Sequence, residues 1–275
     1  MMNGTAAGLK RNMERLNIGR IQQIGTRTCE SCQAQVPVME RTDRDGVVHE
    51  ESLCLACDTQ KLKSKAPKAE DIKIEKIKRF GEKYQKVPRK LIGKTVAKYV
   101  PENDSEKAMK EAIVDYVRNF GKTDHHSLVL KGPMGLGKSH LAYAASSEIR
   151  RRGYSVMYIA ADDFLSLIKS TFDKKSDLTE SKIFEMIEQL DLLVFDEIGA
   201  EYLNKKDEFE SWASEKILKV TDLREDKPTI YTTNYSAPEM VKKYGSIQGG
   251  RITSRMVAGA KRIMVEGRDR REELF

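Results

Sequence analysis

The chain has 275 residues, 39% hydrophobic and 33% charged, with a net charge of +7, a composition that suits one large or two modest globular domains. No run of about eighteen apolar residues occurs, which excludes a transmembrane helix, and the opening MMNGTAAGLKRNMERLNIGR lacks the continuous apolar stretch of a secretion signal. Four cysteines in this length argue against a disulfide scaffold and lead us to expect reduced thiols in a cytoplasmic protein.

Residues 1–60 hold all four cysteines, as Cys29-Glu-Ser-Cys32 and Cys54-Leu-Ala-Cys57, with 21 residues between the pairs. Paired thiolates at this spacing wrap one face of a metal, and two pairs complete a tetrahedral Zn²⁺ site. Between them Val36–Glu40 and Val47–His49 flank an Asp-Gly turn and predict a hairpin. Knuckle, hairpin, knuckle is a zinc-ribbon layout, and a segment with so little core would draw much of its folding energy from metal. Redox-active cysteines are the competing reading. His49 lies five residues before Cys54; four cysteines already satisfy zinc, so it is read as a strand residue.

Residues 61–98 carry fourteen Lys/Arg against four Asp/Glu, which leaves 35 basic and 38 acidic residues elsewhere. One segment therefore holds the whole basic bias, and localisation of this kind brings nucleic acid into consideration. The stretch is interrupted by Pro67, Gly81 and Pro88 and is read as a basic linker, with a helix expected around Ile72–Phe80. A solvated linker and a strip that contacts DNA or a partner are both compatible with it.

From 99 to 275 apolar strands alternate with helices. Asn103 and Glu106 have capping-box spacing ahead of a one-faced helix carrying Ala108, Ala112, Ile113, Tyr116 and Val117. Strand 128–130 then runs into Gly132-Pro133-Met134-Gly135-Leu136-Gly137-Lys138-Ser139, a strict phosphate loop, followed by a helix over 139–151 that begins with His140 behind the loop. Bare backbone amides close around phosphate oxygens, Lys138 supplies a point charge and Ser139 a hydroxyl for Mg²⁺. The order strand, loop, helix implies binding of a nucleoside triphosphate, ATP by expectation, on a helix N-terminus.

Strand 155–160 and helices near 163–170 and 181–190 lead to Leu192–Phe195, which ends in Asp196-Glu197. A carboxylate at a strand's C-terminal end faces the ligand crevice of an open α/β sheet. Asp196 is placed to hold Mg²⁺ and Glu197 to orient or deprotonate water. A helix over 207–224 precedes strand 229–232, after which Asn234 is placed to sense a γ-phosphate or position water. Arg251 and Arg255 in GGRITSRM stand four apart on one helical face, and Arg268, Arg270 and Arg271 crowd the terminus. Apolar strands separated by helices predict a parallel sheet covered on both faces.

The series GPMGLGKS, YIAADDFLSLI, LLVFDEIG, KPTIYTTN, GGRITSRM and EGRDRR resembles the bacterial helicase-loader ATPases of the DnaC/DnaI type, within the AAA+ superfamily. The DnaI side, including phage-encoded relatives, also has a zinc-binding N-terminal domain. The resemblance covers about residues 88–275 and implies an α/β AAA+ core behind a small zinc-ribbon-like domain. It makes Lys138 and Ser139 Walker A, Asp196 and Glu197 Walker B, Asn234 sensor 1, Arg255 the arginine finger with Arg251 beside it, and Arg271 sensor 2, with Arg268 and Arg270 as neighbours in the same motif. The implied function is ATP-dependent loading of a hexameric replicative helicase, with slow ATP hydrolysis as a switch. Single-stranded DNA is the implied second partner, and self-assembly is expected through the arginine-finger interface. Two alternatives stand beside it: a transposition helper ATPase of the IstB type, and a zinc-ribbon adaptor that binds ATP without turning it over. An initiator of the DnaA type is not expected, since only Glu272–Phe275 follow the last arginine.

Overall fold

The computed structural model describes residues 18–43, 45–65, 67–122, 125–173, 176–201 and 207–270. The chain divides into two compact units, Met1–Ala69 and Glu70–Phe275.

In the first unit, strands β1 (Ile18–Thr28), β2 (Gln35–Asp43) and β3 (Val48–Glu51) form an antiparallel sheet in that order, followed by helix α1 (Leu55–Lys65). The expected hairpin is β2–β3, closed by Asp43, whose Oδ1 accepts from the Asp45 and Val47 amides at 3.0 and 2.8 Å. β1 lay outside the expectation because its isoleucines recur at threes, not twos. The register shift between Gln23 and Gly25 inserts an extra residue and lets that spacing run along a strand. The second cysteine pair does not form a free-standing knuckle, because Cys57 lies in the first turn of α1. Cys29 and Val36 are the buried hydrophobic residues of this unit among those described, too few to hold a fold without a staple.

The second unit is built on a parallel five-stranded sheet, β4 (Ser127–Lys131), β5 (Val156–Ala160), β6 (Leu192–Asp196), β7 (Thr229–Thr233) and β8 (Ala260–Met264), in the order β5-β6-β7-β4-β8. Its helices are α2 (Ala69–Tyr84), α3 (Asp104–Arg118), α4 (Lys138–Arg151), α5 (Ala161–Ser170), α6 (Glu180–Gln189), α7 (Asp207–Leu223), α8 (Ala237–Tyr244) and α9 (Ser246–Val257). Strand alternation sorts the core into two layers. Leu128, Leu130, Tyr158, Leu192, Val194 and Ile230 pack with α3 and α4. Val129, Met157, Ile159, Leu193, Phe195 and Tyr231 pack with α2 and α5 through α9.

Part of the basic stretch is built into this unit. Helix α2 runs through Gly81 without breaking, and Ile77 and Phe80 are buried. Gly81 is needed there because a Cβ would stand 2.6 Å from the Val156 carbonyl oxygen, so the helix lies directly on β5. Leu91 and Tyr99 are buried as well. The high lysine count therefore marks the solvent face of a packed segment as much as a tether. β8 was not anticipated, because an edge strand with Lys261, Arg262 and Met264 exposed gives little apolar signal. Among the described residues no helix is long and apolar enough to cross a membrane.

Candidate functional site

In the first unit Cys29, Cys32, Cys54 and Cys57 bring their sulfurs within 4.8 Å of one another. Cys29 Sγ lies 3.7 Å from Cys57 Sγ and Cys32 Sγ 3.5 Å from Cys54 Sγ. Four thiolates at about 2.3 Å around a tetrahedral Zn²⁺ would stand about 3.8 Å apart, so the donor set fits that ion. The Cys32 and Ser31 amides point at the Cys29 sulfur and hold its pKa down to about 6, while the Cys32 and Cys29 sulfurs push Cys57 up to about 12. His49 stands apart from this cluster, with Nε2 3.3 Å from Asp43 Oδ2 and its backbone paired with Arg41.

In the second unit the phosphate loop leaves the end of β4. Gly135 and Gly137 have φ of +80° and +78°, in the left-handed region where glycine is strain-free. Space is also closed there: a Cβ on Gly135 would stand 1.9 Å from Asp269 Oδ1, and one on Gly137 2.3 Å from Tyr99 Cε2. Lys138 is buried and its Nζ donates to the Gly132 and Pro133 carbonyls at 2.8 and 2.6 Å. Pro133 and Met134 face solvent, whereas Leu136 is fully buried. His140, next on α4, bonds the Thr95 carbonyl at 2.9 Å and stands edge-on to Tyr99, and burial lowers its pKa.

Asp196 is 3% exposed at the tip of β6. Its Oδ1 accepts from Ser139 Oγ at 2.9 Å and Thr232 Oγ1 at 2.5 Å, and its Oδ2 accepts from the Tyr158 hydroxyl. A carboxylate and a hydroxyl in contact at the sheet's C-terminal edge are the hard oxygen donors that suit Mg²⁺. Thr232 Oγ1 also accepts from the Glu197 amide at 2.9 Å, and Glu197 has φ of +57°. A non-glycine residue held in this region is strained, which is common where a side chain must be aimed. Asn234 follows β7 directly. The Gly132 amide donates to Thr233 O at 3.3 Å, which places Asn234 next in line to the loop's first residue.

The arginines separate. Arg251 and Arg255 lie on α9, bound to carboxylates at the end of α7. Arg271 lies outside the described residues. Arg270 is engaged within the fold: Nη1 donates to Val100 O at 2.9 Å, Nη2 reaches Glu106, and Glu102 lies 3.1 Å from Nε. Its guanidinium stands 5.3 Å from the Tyr99 ring, whose hydroxyl donates to Leu136 O inside the loop at 2.8 Å. Glu106 thus departs from the expected capping box, accepting from the Glu102 amide, while Asn103 caps α3 as expected. Tyr99, Tyr158 and Thr232 were missed from the sequence. Tyr158 and Thr232 lie in apolar strands and Tyr99 in the segment ahead of α3, and none carries a local mark of what its hydroxyl meets.

A family model described as IstB-like ATP binding protein matches residues 88–271. The chain is 34% identical over 137 residues to the replicative helicase loader DnaC of Escherichia coli (strain K12), covering 48% of this chain and 51% of that protein. It is 23% identical over 197 residues to the replicative helicase loader DnaI of Bacillus subtilis (strain 168), covering 67% and 60%. A crystal structure of the DnaC helicase loader is similar at a TM-score of 0.53 and 24% identity, covering 65% of this chain and 99% of that one, a likeness of fold. The chain spans about half the length of the curated DnaC proteins it matches.

Proposed function

Since the chain belongs to the family of IstB-like ATP-binding proteins, we propose that it is an ATP-dependent loader of a replicative DNA helicase, acting in the cytoplasm. Its similarity to DnaC and DnaI supports the loader reading over a transposition helper. The observation that carries the use of ATP is the Ser139 hydroxyl 2.9 Å from Asp196, at the mouth of the phosphate loop.

In this reading, amides of Gly132–Ser139 cradle the phosphates, and Lys138 turns from the Gly132 and Pro133 carbonyls to the β- and γ-oxygens. Ser139 and Asp196 hold Mg²⁺, which when bound neutralises charge developing on the transferred phosphoryl group. Glu197, aimed by its left-handed backbone and the Thr232 bond, orients and deprotonates the attacking water. Asn234 reads the γ-phosphate beside Gly132. Arg255 is supplied to a neighbouring subunit, and Arg271 completes the site from the C-terminal segment. Slow hydrolysis then acts as a switch between states that differ in partner affinity.

The zinc unit, residues 1–60 with Cys29, Cys32, Cys54 and Cys57, grips the helicase. Residues 61–98 add basic surface, and from Glu70 onward they belong to the same compact unit as the ATPase domain, 99–275. Single-stranded DNA is the second partner, supported by the exposed Phe172, which stands edge-on to Trp212 at 6.2 Å with Lys169 Nζ 5.6 Å from the indole. Aromatic faces beside cations suit stacking on bases.

The test mixes the full zinc-loaded chain with a purified hexameric replicative helicase and weighs the products. A stable complex that releases on ATP hydrolysis is expected, with release lost in Glu197→Gln while ATP binding remains. No complex at micromolar concentrations overturns the loader reading.

A further inference from the structure

We infer that Tyr158 is a positioning residue for the Asp196 carboxylate, fixing the orientation in which Asp196 and Ser139 take up a divalent cation with the nucleotide. The inference rests on the ATP–Mg²⁺ reading above.

Strand parity places the tyrosine. Tyr158 pairs with Val194, and Ala160 pairs with Asp196, so residues 158 and 160 of β5 share a face with 194 and 196 of β6. Ala160, directly beside Asp196, has no side chain long enough to reach it. The Tyr158 ring, one rung below, spans that gap and delivers its hydroxyl to Oδ2. Oδ1 is already shared by Ser139 and Thr232, so Tyr158 supplies the bond that fixes the far oxygen.

The donor itself is rigid. Tyr158 is fully buried, its ring stands edge-on to Tyr143 of α4 at 5.9 Å, and its carbonyl accepts from the Lys86 amide at 2.9 Å. A carboxylate's terminal torsion is broad by nature, and the Ser139 hydroxyl, which has lone pairs for a cation beside the hydrogen it donates, is shared with one once it binds. Thr232 and Tyr158 grip opposite oxygens and keep the carboxylate plane fixed whatever Ser139 does. Partners behind a metal ligand act on affinity in this way.

The test uses Tyr158→Phe in the full chain, which keeps the ring and removes only the hydroxyl. Binding of a fluorescent N-methylanthraniloyl ATP is titrated against Mg²⁺ and repeated in EDTA, with unfolding temperature measured alongside. The Mg²⁺ midpoint is expected to rise about ten-fold, with affinity in EDTA unchanged. Mn²⁺ uptake by the ATP complex, followed by electron paramagnetic resonance, should weaken in step. An unchanged Mg²⁺ midpoint, or an equal loss in EDTA, overturns the inference and leaves ATP binding by the wild type standing. Wild-type protein that binds no nucleotide overturns the ATP–Mg²⁺ reading, and the inference with it. Should Tyr158→Phe fold poorly, 3-fluorotyrosine at 158 keeps the core and strengthens the donor. A shift in its Mg²⁺ midpoint supports the inference and none overturns it.

Discussion

Arg255 donates through Nε to Asp222 Oδ1 at 2.8 Å, and its Nη1 reaches Glu225 Oε1 at 3.2 Å. Asp222 also stands 3.6 Å from Arg251. Both arginines of GGRITSRM are thus drawn to the end of α7 in their own chain. The side chains of Arg255, Asp222 and Glu225 are each 36% exposed, and ion pairs this wet contribute about 1 kcal/mol at most. A γ-phosphate with its metal could outbid them.

Arg255→Ala should therefore leave the unfolding temperature nearly unchanged while turnover falls by about 10³-fold, the size of an arginine-finger effect. Mixing Arg255→Ala with Lys138→Ala chains should restore part of the activity, because one intact shared site can form. Steady-state ATPase assays across protein concentration check both. Full turnover by Arg255→Ala would remove this residue from the chemistry.

Arg224 is 1% exposed, and burial lowers its pKa to about 10. Its guanidinium donates to the carbonyls of Ile187, Glu188, Leu190 and Pro228 and to Thr229 Oγ1. It ties the end of α6 and the starts of β6 and β7 together. Arg224→Ala would strand several buried carbonyls and should cost about 3 kcal/mol or more. Arg224→Lys should not rescue it, because one ammonium cannot span that fork. Urea-denaturation midpoints decide.

Removing zinc should unfold the first unit and spare the second. A chelator is expected to abolish the circular-dichroism signal of β1–β3 and α1 while ATP binding persists. Cys29→Ser or Cys54→Ser should act like the chelator. Metal content by mass spectrometry and amide hydrogen exchange check this, and a first unit still protected without metal would refute it.

Gly135→Ala would hold an alanine at a left-handed φ, costing about 1–2 kcal/mol, and would drive its methyl into Asp269. ATP affinity should fall about ten-fold or more, since the loop must shift to relieve both. Equilibrium binding with and without Asp269→Gly separates the two causes. Partial recovery is expected in the double variant.

Much of the second unit could be read locally. The strands β4–β7 and the helices between them announce themselves because a parallel sheet buried on both faces demands unbroken apolar runs. Asp196 and Asn234 could be placed because each ends such a run. β1 and β8 gave weaker signals, since one is bulged and exposed and the other is an edge. The segment around Ile77 and Phe80 looked like a tether because two or three buried residues among fourteen cations do not register in composition.

Chemistry carried by contiguous spacing was legible in the chain alone: eight consecutive residues spell the phosphate loop, and each cysteine pair spans four positions. Such sites need only backbone that turns within a few positions. Tertiary structure decided what those residues lean on. Tyr158, Asp196 and Thr232 meet only because β5, β6 and β7 pair in one register, and Arg255 finds Asp222 only because α9 packs on α7. Contacts across tens of residues depend on strand order and helix packing, and no local pattern encodes them.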